Sequence, residues 1–177
     1  EAERITDGMN RTMNHDVVRT QAGIGADSPL NAVLNTRADV LTMTQATHDA
    51  ALQPRDPGGI PHVVRAALAT RVARLHNDAS LATHYEGLMR QARASAAISR
   101  LADPQFKGDG DAKLTAVLAY TDLATQTPRD ATADDIVQLQ RAGVSDADIV
   151  RLAELNAFLA YQIRLIAGLR LMKEFAQ

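Results

Sequence analysis

Asn77, Ser80 and His84 stand at i, i+3 and i+7. That spacing places three side chains on one face of a helix. An imidazole takes or gives a proton near neutral pH, so His84 is a candidate catalytic proton donor or acceptor. A hydroxyl one turn away could act as a nucleophile with that imidazole as its base, which makes Ser80 a second candidate. No acidic residue is placed by spacing to orient the imidazole, and Ser80 can equally bond a backbone carbonyl. Arg65 lies on the preceding helix, which can fold back against the same face. A guanidinium there would bind a carboxylate, sulfonate or phosphate through a bidentate fork. It would also keep His84 neutral, because a nearby cation lowers an imidazole pKa. Arg65, Asn77 and Ser80 thus form a candidate binding set for a small anion. The alternatives are that Arg65 pairs with Asp78 or Glu86 or lies in solvent, and that His84 is kept for a buried hydrogen bond.

Other groups weigh less. His76 and His84 are eight residues apart, and no His-x-x-x-His or Glu-x-x-His pair exists, so no metal site is expected. Gly23-Ile24-Gly25 lacks the strand and helix that a dinucleotide loop requires. Asp109-Gly110-Asp111 is too short for a calcium loop, and no cofactor is expected. Tyr85, Phe158 and Tyr161 could line a pocket or belong to the core.

The elements that must carry these groups read as helices throughout. A short helix is expected over 5–20. Ser28-Pro29 then opens a helix to about Leu52, with Ser28 as cap and Pro29 at the first helical position. Pro54 to Gly59 breaks it, and Pro57-Gly58-Gly59 reads as a turn. Val64, Ala67, Leu68, Val72 and Leu75 form the buried face of a helix from about Pro61. Asn77-Asp78 caps the next one, about Ala79 to Arg93. Residues Arg100 to Asp111 read as a loop, and a helix follows over Ala112 to Thr125. Thr132 to Asp135 matches a capping box. The helix after it stops at Gly143, a good left-handed cap. Ser145 to Asp148 caps a last helix to about Lys173. No strand pattern appears, so the chain is expected to be all-α, built of antiparallel helix hairpins.

Composition agrees. A chain of 177 residues supports one sizeable core. Residues 1–26 are expected to be peripheral and 27–177 to form a single domain. Aromatics make up only 3 % and Trp is absent, so Ala, Leu, Val and Ile must build the core, which favours close-packed helices. A net charge of −2 offers no basic field for nucleic acid or an anionic membrane. No apolar run approaches the roughly 20 residues of a membrane span. With no cysteine there is no disulfide and no thiolate metal site, and a cytoplasmic location is the default. The apolar stripe Leu152, Leu155, Phe158, Leu159, Ile163, Ile166 and Leu169 is expected to leave surface for self-association.

Two parts of the chain carry a resemblance. One is the helix pair Arg65 to His84. The other is Lys113 to Tyr120, followed by Pro128 and by Thr132 to Ile149, with its Leu139-Gln-Arg-Ala-Gly-Val-Ser-Asp146 turn. Together they resemble the carboxymuconolactone decarboxylase / alkyl hydroperoxidase D family. The stretch Ser28 to Gly59 is similar to its longer, peroxidase-related branch. The resemblance implies an AhpD-like helical bundle and a homo-oligomer: dimer, trimer or hexamer.

Peroxidases of this family carry a Glu, then Cys-x-x-Cys, then a His. Anchored on His84, the Cys positions fall on Asn77 and Ser80 and the Glu position on Arg65. Thiol peroxidase chemistry needs one thiolate to attack the peroxide and a second thiol to resolve the sulfenate. Neither is present. Decarboxylase-type members also lack the pair and look to a His for proton transfer. The expectation is a degenerate member that binds a small anionic metabolite or does acid–base chemistry through His84. One alternative is a non-catalytic structural or regulatory partner of a cysteine-bearing relative. Another is an antioxidant-defence protein related to the peroxidases by homology only.

Overall fold

The computed structural model describes residues 16–175. Among them the fold is all-α, with nine α-helices, two short 3-10 turns and no strand. In chain order the helices are α1 (Val17–Ala22), α2 (Pro29–Asn35), α3 (Ala38–Leu52), α4 (His62–Leu75), α5 (Ala79–Gln91), α6 (Ala96–Ser99), α7 (Ala112–Gln126), α8 (Ala133–Arg141) and α9 (Asp146–Phe175). No helix among the described residues is both long and apolar enough to cross a membrane.

Local chemistry explains most of the boundaries. The Asp16 side chain accepts from Arg19 N at the start of α1. Asp78 does the same for Leu81 N in α5, and Asp111 for Leu114 N in α7. Asp135 reaches back to Thr132 N at 2.7 Å, which completes the expected capping box of α8. Two expectations differ. The helix expected over 5–20 falls largely outside the described residues; within them α1 begins only after the extended Asp16 cap and runs on to Ala22. The single helix from Pro29 to Leu52 is broken between Asn35 and Ala38. No Gly or Pro marks the break. The Thr36 hydroxyl bonds the Val33 carbonyl at 2.7 Å, a local bond that competes with helix continuation.

The chain divides into two compact units, one comprising residues up to Asp49 with those from Tyr161 onward, the other Ala50–Ala160. Val17, Val18, Ala22 and Ile24 are buried, so α1 contributes to a core. In the same unit the Thr44 and Tyr161 hydroxyls are 2.9 Å apart, and Gln162 Nε2 meets His48 Nδ1 at 3.2 Å.

The second unit is organised around α4. Every residue from Arg65 to Ala73 is buried, so this helix is covered on all sides. Its alanines let neighbouring helices approach closely. It packs against α5, α6, the 3-10 turn Arg100–Ala102 and α7. The facing stripe of α5 is Leu81, Ala82, Tyr85 and Met89, and burial raises the pKa of the Tyr85 hydroxyl.

The apolar stripe of α9 is also core. Leu152, Leu155, Phe158, Leu159, Ile163, Ile166 and Leu169 are all buried within the chain. Any self-association must therefore use other residues. Tyr85 and Phe158 are buried too, whereas Tyr161 is exposed.

Candidate functional site

The α4–α5 hairpin places the four residues expected to carry chemistry. Its reversal rests on Asn77, at φ +57°, a left-handed conformation that Asn tolerates better than most residues. Asp78 N then bonds Ala73 O at 2.9 Å, and the Asp78 carboxylate caps α5. Asn77 thus sits in the turn before α5. It does not share a helical face with Ser80 and His84, because the helix begins only at Ala79. Ser80 and His84 do occupy successive turns of α5. Ser80 and Asn77 are exposed, and His84 is half-buried. The His84 ring lies edge-on to the buried Tyr85 ring, with centroids 5.1 Å apart.

Arg65 is turned elsewhere. It is 3 % exposed, and its guanidinium donates to three backbone carbonyls: Nε to Ile60 O at 2.8 Å, Nη1 to Ala51 O at 2.9 Å and Nη2 to Pro57 O at 3.2 Å. The ten residues from Arg65 to Leu75 correspond to about 15 Å of helix. The guanidinium thus serves the loop before α4, while Asn77 and Ser80 stand at the opposite end of that helix. It makes no ion pair with Asp78 or Glu86; Glu86 pairs with Arg74 at 2.7 Å. Burial lowers the proton affinity of Arg65, the nearby Arg151 lowers it further, and Glu154 and Asp148 partly offset both.

The loop that Arg65 holds is fastened a second time. Asp148 Oδ1 accepts from Gly59 N at 2.8 Å and from Arg151 at 3.1 Å, and its Oδ2 accepts from the Ser145 hydroxyl at 2.8 Å. Burial alone would raise the Asp148 carboxyl, but these donors outweigh it and hold it below the ordinary carboxylate range. Arg151 continues to Asp56 at 3.2 Å, and Asp56 accepts from Gly58 N at 3.0 Å. A Cβ at residue 59 would collide with the Asp148 carboxylate, so the close approach requires glycine there. The spacing of Ser145 and Asp148 reveals a helix cap. It does not reveal a partner 89 residues away.

Among the described residues, a heavily bonded side chain lies outside the set that spacing singles out. Arg71 is fully buried. Its Nε and Nη2 bind both Asp122 oxygens, at 2.5 Å and 2.7 Å. The same guanidinium donates to the carbonyls of Leu101, Asp103, Pro104 and Phe106. Lys107 adds a contact to Asp122 at 3.1 Å. Burial would raise the Asp122 carboxyl, yet hydrogen bonds from Arg71 and Lys107 hold it low. Every donor nitrogen of Arg71 has a partner, which marks a structural clamp. Just beyond the clamped segment, Gly108 at φ +104° lies so close to the Thr115 backbone that no Cβ fits. A signal did exist: Arg71 falls seven residues after Val64, on the stripe read as apolar.

Recesses also lie among the described residues of this unit. A shallow cleft of about 300 Å³ is bordered by Arg74, Glu86, Arg90 and Ser99, with Met89 and Ala102 beneath. Its Arg74 is already committed to Glu86 and to Ala102 O at 3.0 Å. A smaller slot of about 140 Å³ is lined by the aliphatic Ile60, Val64, Leu114, Val117 and Val144 together with the charged Lys113, Asp111 and Asp148.

Compared with family models, curated proteins and solved structures, the chain matches none of them.

Proposed function

We propose that this chain is a redox-inactive protein of the carboxymuconolactone decarboxylase / alkyl hydroperoxidase D type, with an AhpD-like bundle, serving as a non-catalytic structural or regulatory partner. Thiol turnover has no chemical basis in a chain without cysteine. The observation that carries the reading is the position of Arg65. Where the peroxidases have a Glu, this chain has a buried guanidinium directed at Ala51, Pro57 and Ile60 carbonyls. A group so engaged braces the fold and is not held out for an anion. Asn77 likewise has a backbone role, as the left-handed residue of the hairpin turn.

A second reading keeps His84 as an acid–base group for a small anionic metabolite. What favours it is the half-buried position of that imidazole, one turn after Ser80 and against the Tyr85 ring.

A thermal-shift screen of small carboxylates, lactones and sulfonates on wild type, Arg65→Ala and His84→Ala separates the two. The partner reading expects Arg65→Ala to melt lower, with no compound whose effect depends on both residues. A compound that stabilises wild type by mass action and loses its effect in both variants would establish the anion site and overturn the partner reading.

A further inference from the structure

The slot between the Gly59–Val64 segment, the start of α7 and Val144 has the chemistry of a ligand site away from the hairpin. We propose that it binds a small aromatic monocarboxylate, with the ring inside and the carboxylate at Lys113. The volume, about 140 Å³, suits one six-membered ring. A protein cavity of roughly 150 Å³ is large enough to admit benzene. Five branched aliphatic side chains wall it, Ile60, Val64, Leu114, Val117 and Val144, so a ring gains contact on several sides without stranding a polar atom.

The charged residues of the lining define the substituent. Asp148 already accepts from Gly59 N, the Ser145 hydroxyl and Arg151. Asp111 already caps α7 through Leu114 N at 2.9 Å. Lys113 is exposed and forms no ion pair among the described residues. Asp148 is thus paired with a cation and Asp111 is held by a helix N-terminus, which leaves exposed Lys113 as the lining's cation for a ligand carboxylate, met as a surface ion pair. The slot is also built on fixed parts. Its floor is the loop that Arg65 and Asp148 fasten, so the walls are set before a ligand arrives.

Benzoate and its neutral isostere benzamide are the probes, titrated into the 177-residue chain with methyl chemical shifts of Val64, Leu114, Val117 and Val144 as the readout. The expected result is saturable benzoate shifts at those methyls. Lys113→Ala should weaken benzoate about threefold, the scale of a surface ion pair, and leave benzamide unchanged, and Val144→Phe should abolish both. His84→Ala, remote from the loop that lines the slot, should bind benzoate as wild type does, so that failure here is distinct from failure of the partner reading. Three outcomes overturn the proposal: no saturable shift at the slot methyls of wild type, equal affinity for benzoate and benzamide, or benzoate binding indifferent to Lys113→Ala. The wild-type map decides the question even if Val144→Phe does not fold.

Discussion

At Arg71 a buried charge meets a carboxylate; at Arg65, six residues earlier on the same helix, it meets only carbonyl oxygens. Both guanidiniums draw a loop onto α4. Arg71 gathers Leu101 to Phe106, and Arg65 gathers Ala51 to Ile60. The difference lies in what remains when the arginine is removed. Without Arg71, Asp122 keeps only Lys107, an exposed partner, and four carbonyls lose their donor. Without Arg65, three carbonyls lose a donor and no carboxylate is left without its hydrogen-bonded partner. A buried arginine with a counter-ion is therefore the harder one to replace, although it is the better compensated in the folded state.

The largest expected effect is at Arg71. Breaking a buried pair by removing one partner costs about 3–5 kcal/mol. Arg71→Leu should lower the melting temperature by about 2–4 °C for each of those kcal/mol. Arg71→Lys should recover only part of the loss, because an ammonium cannot reproduce the fork. Circular-dichroism melts of the two variants decide this, and a wild-type melt for Arg71→Leu would dissolve the contrast. Arg65→Met should come next, at about 1.5–3 kcal/mol, the range of hydrogen bonds to charged groups. If chemical denaturation ranks it above Arg71→Leu, the counter-ion is not what separates the two sites.

Gly59→Ala tests the second fastening of the same loop. Its Cβ would displace the Asp148 carboxylate, an overpacking cost of about 1–3 kcal/mol. Combined with Asp148→Ala, the two losses should fall short of their sum, because each breaks the same contact.

Acid should produce the smallest effect, in two separate windows. His48 is buried, and burial lowers its pKa, with Gln162 and Asp49 opposing. A depressed histidine contributes stability that is intact above about pH 6.5 and is lost as pH falls towards the folded value. Asp122 and Asp148 are depressed as well, so their contribution is intact above about pH 4 and is lost below it. Denaturant midpoints should therefore decline gently from pH 7 to 5 and steeply below 4. His48→Gln should flatten only the first part, and Asp122→Asn should reduce the steepness of the second.

The all-α fold was legible because apolar periodicity and caps are local. Pro29, Asp78, the Thr132–Asp135 box and Gly143 each act within one turn of themselves. The break at Thr36 was not legible, since it depends on a hydroxyl that could equally have pointed to solvent. The site was legible only in part. Ser80 and His84 do fall on successive turns of one helix. Arg65 was expected to fold back towards them because it precedes them on a hairpin, but sequence spacing fixes a residue's height on a helix and not where a long side chain turns. The Arg71 clamp and the Gly59–Asp148 contact join residues far apart in the chain, and no local pattern announces such pairs.

That remoteness bears on how the protein folds. The α4–α5 hairpin is made of near neighbours and can form early, whereas the bonds of Arg71 close gaps of 30 to 51 residues. Loop closure over such spans is slow to be rewarded, so the clamp is expected to lock after the main barrier. Weakening it would then leave the refolding rate nearly unchanged and quicken unfolding. The buried guanidinium would act as a latch on the lifetime of the native state rather than as a guide to reaching it.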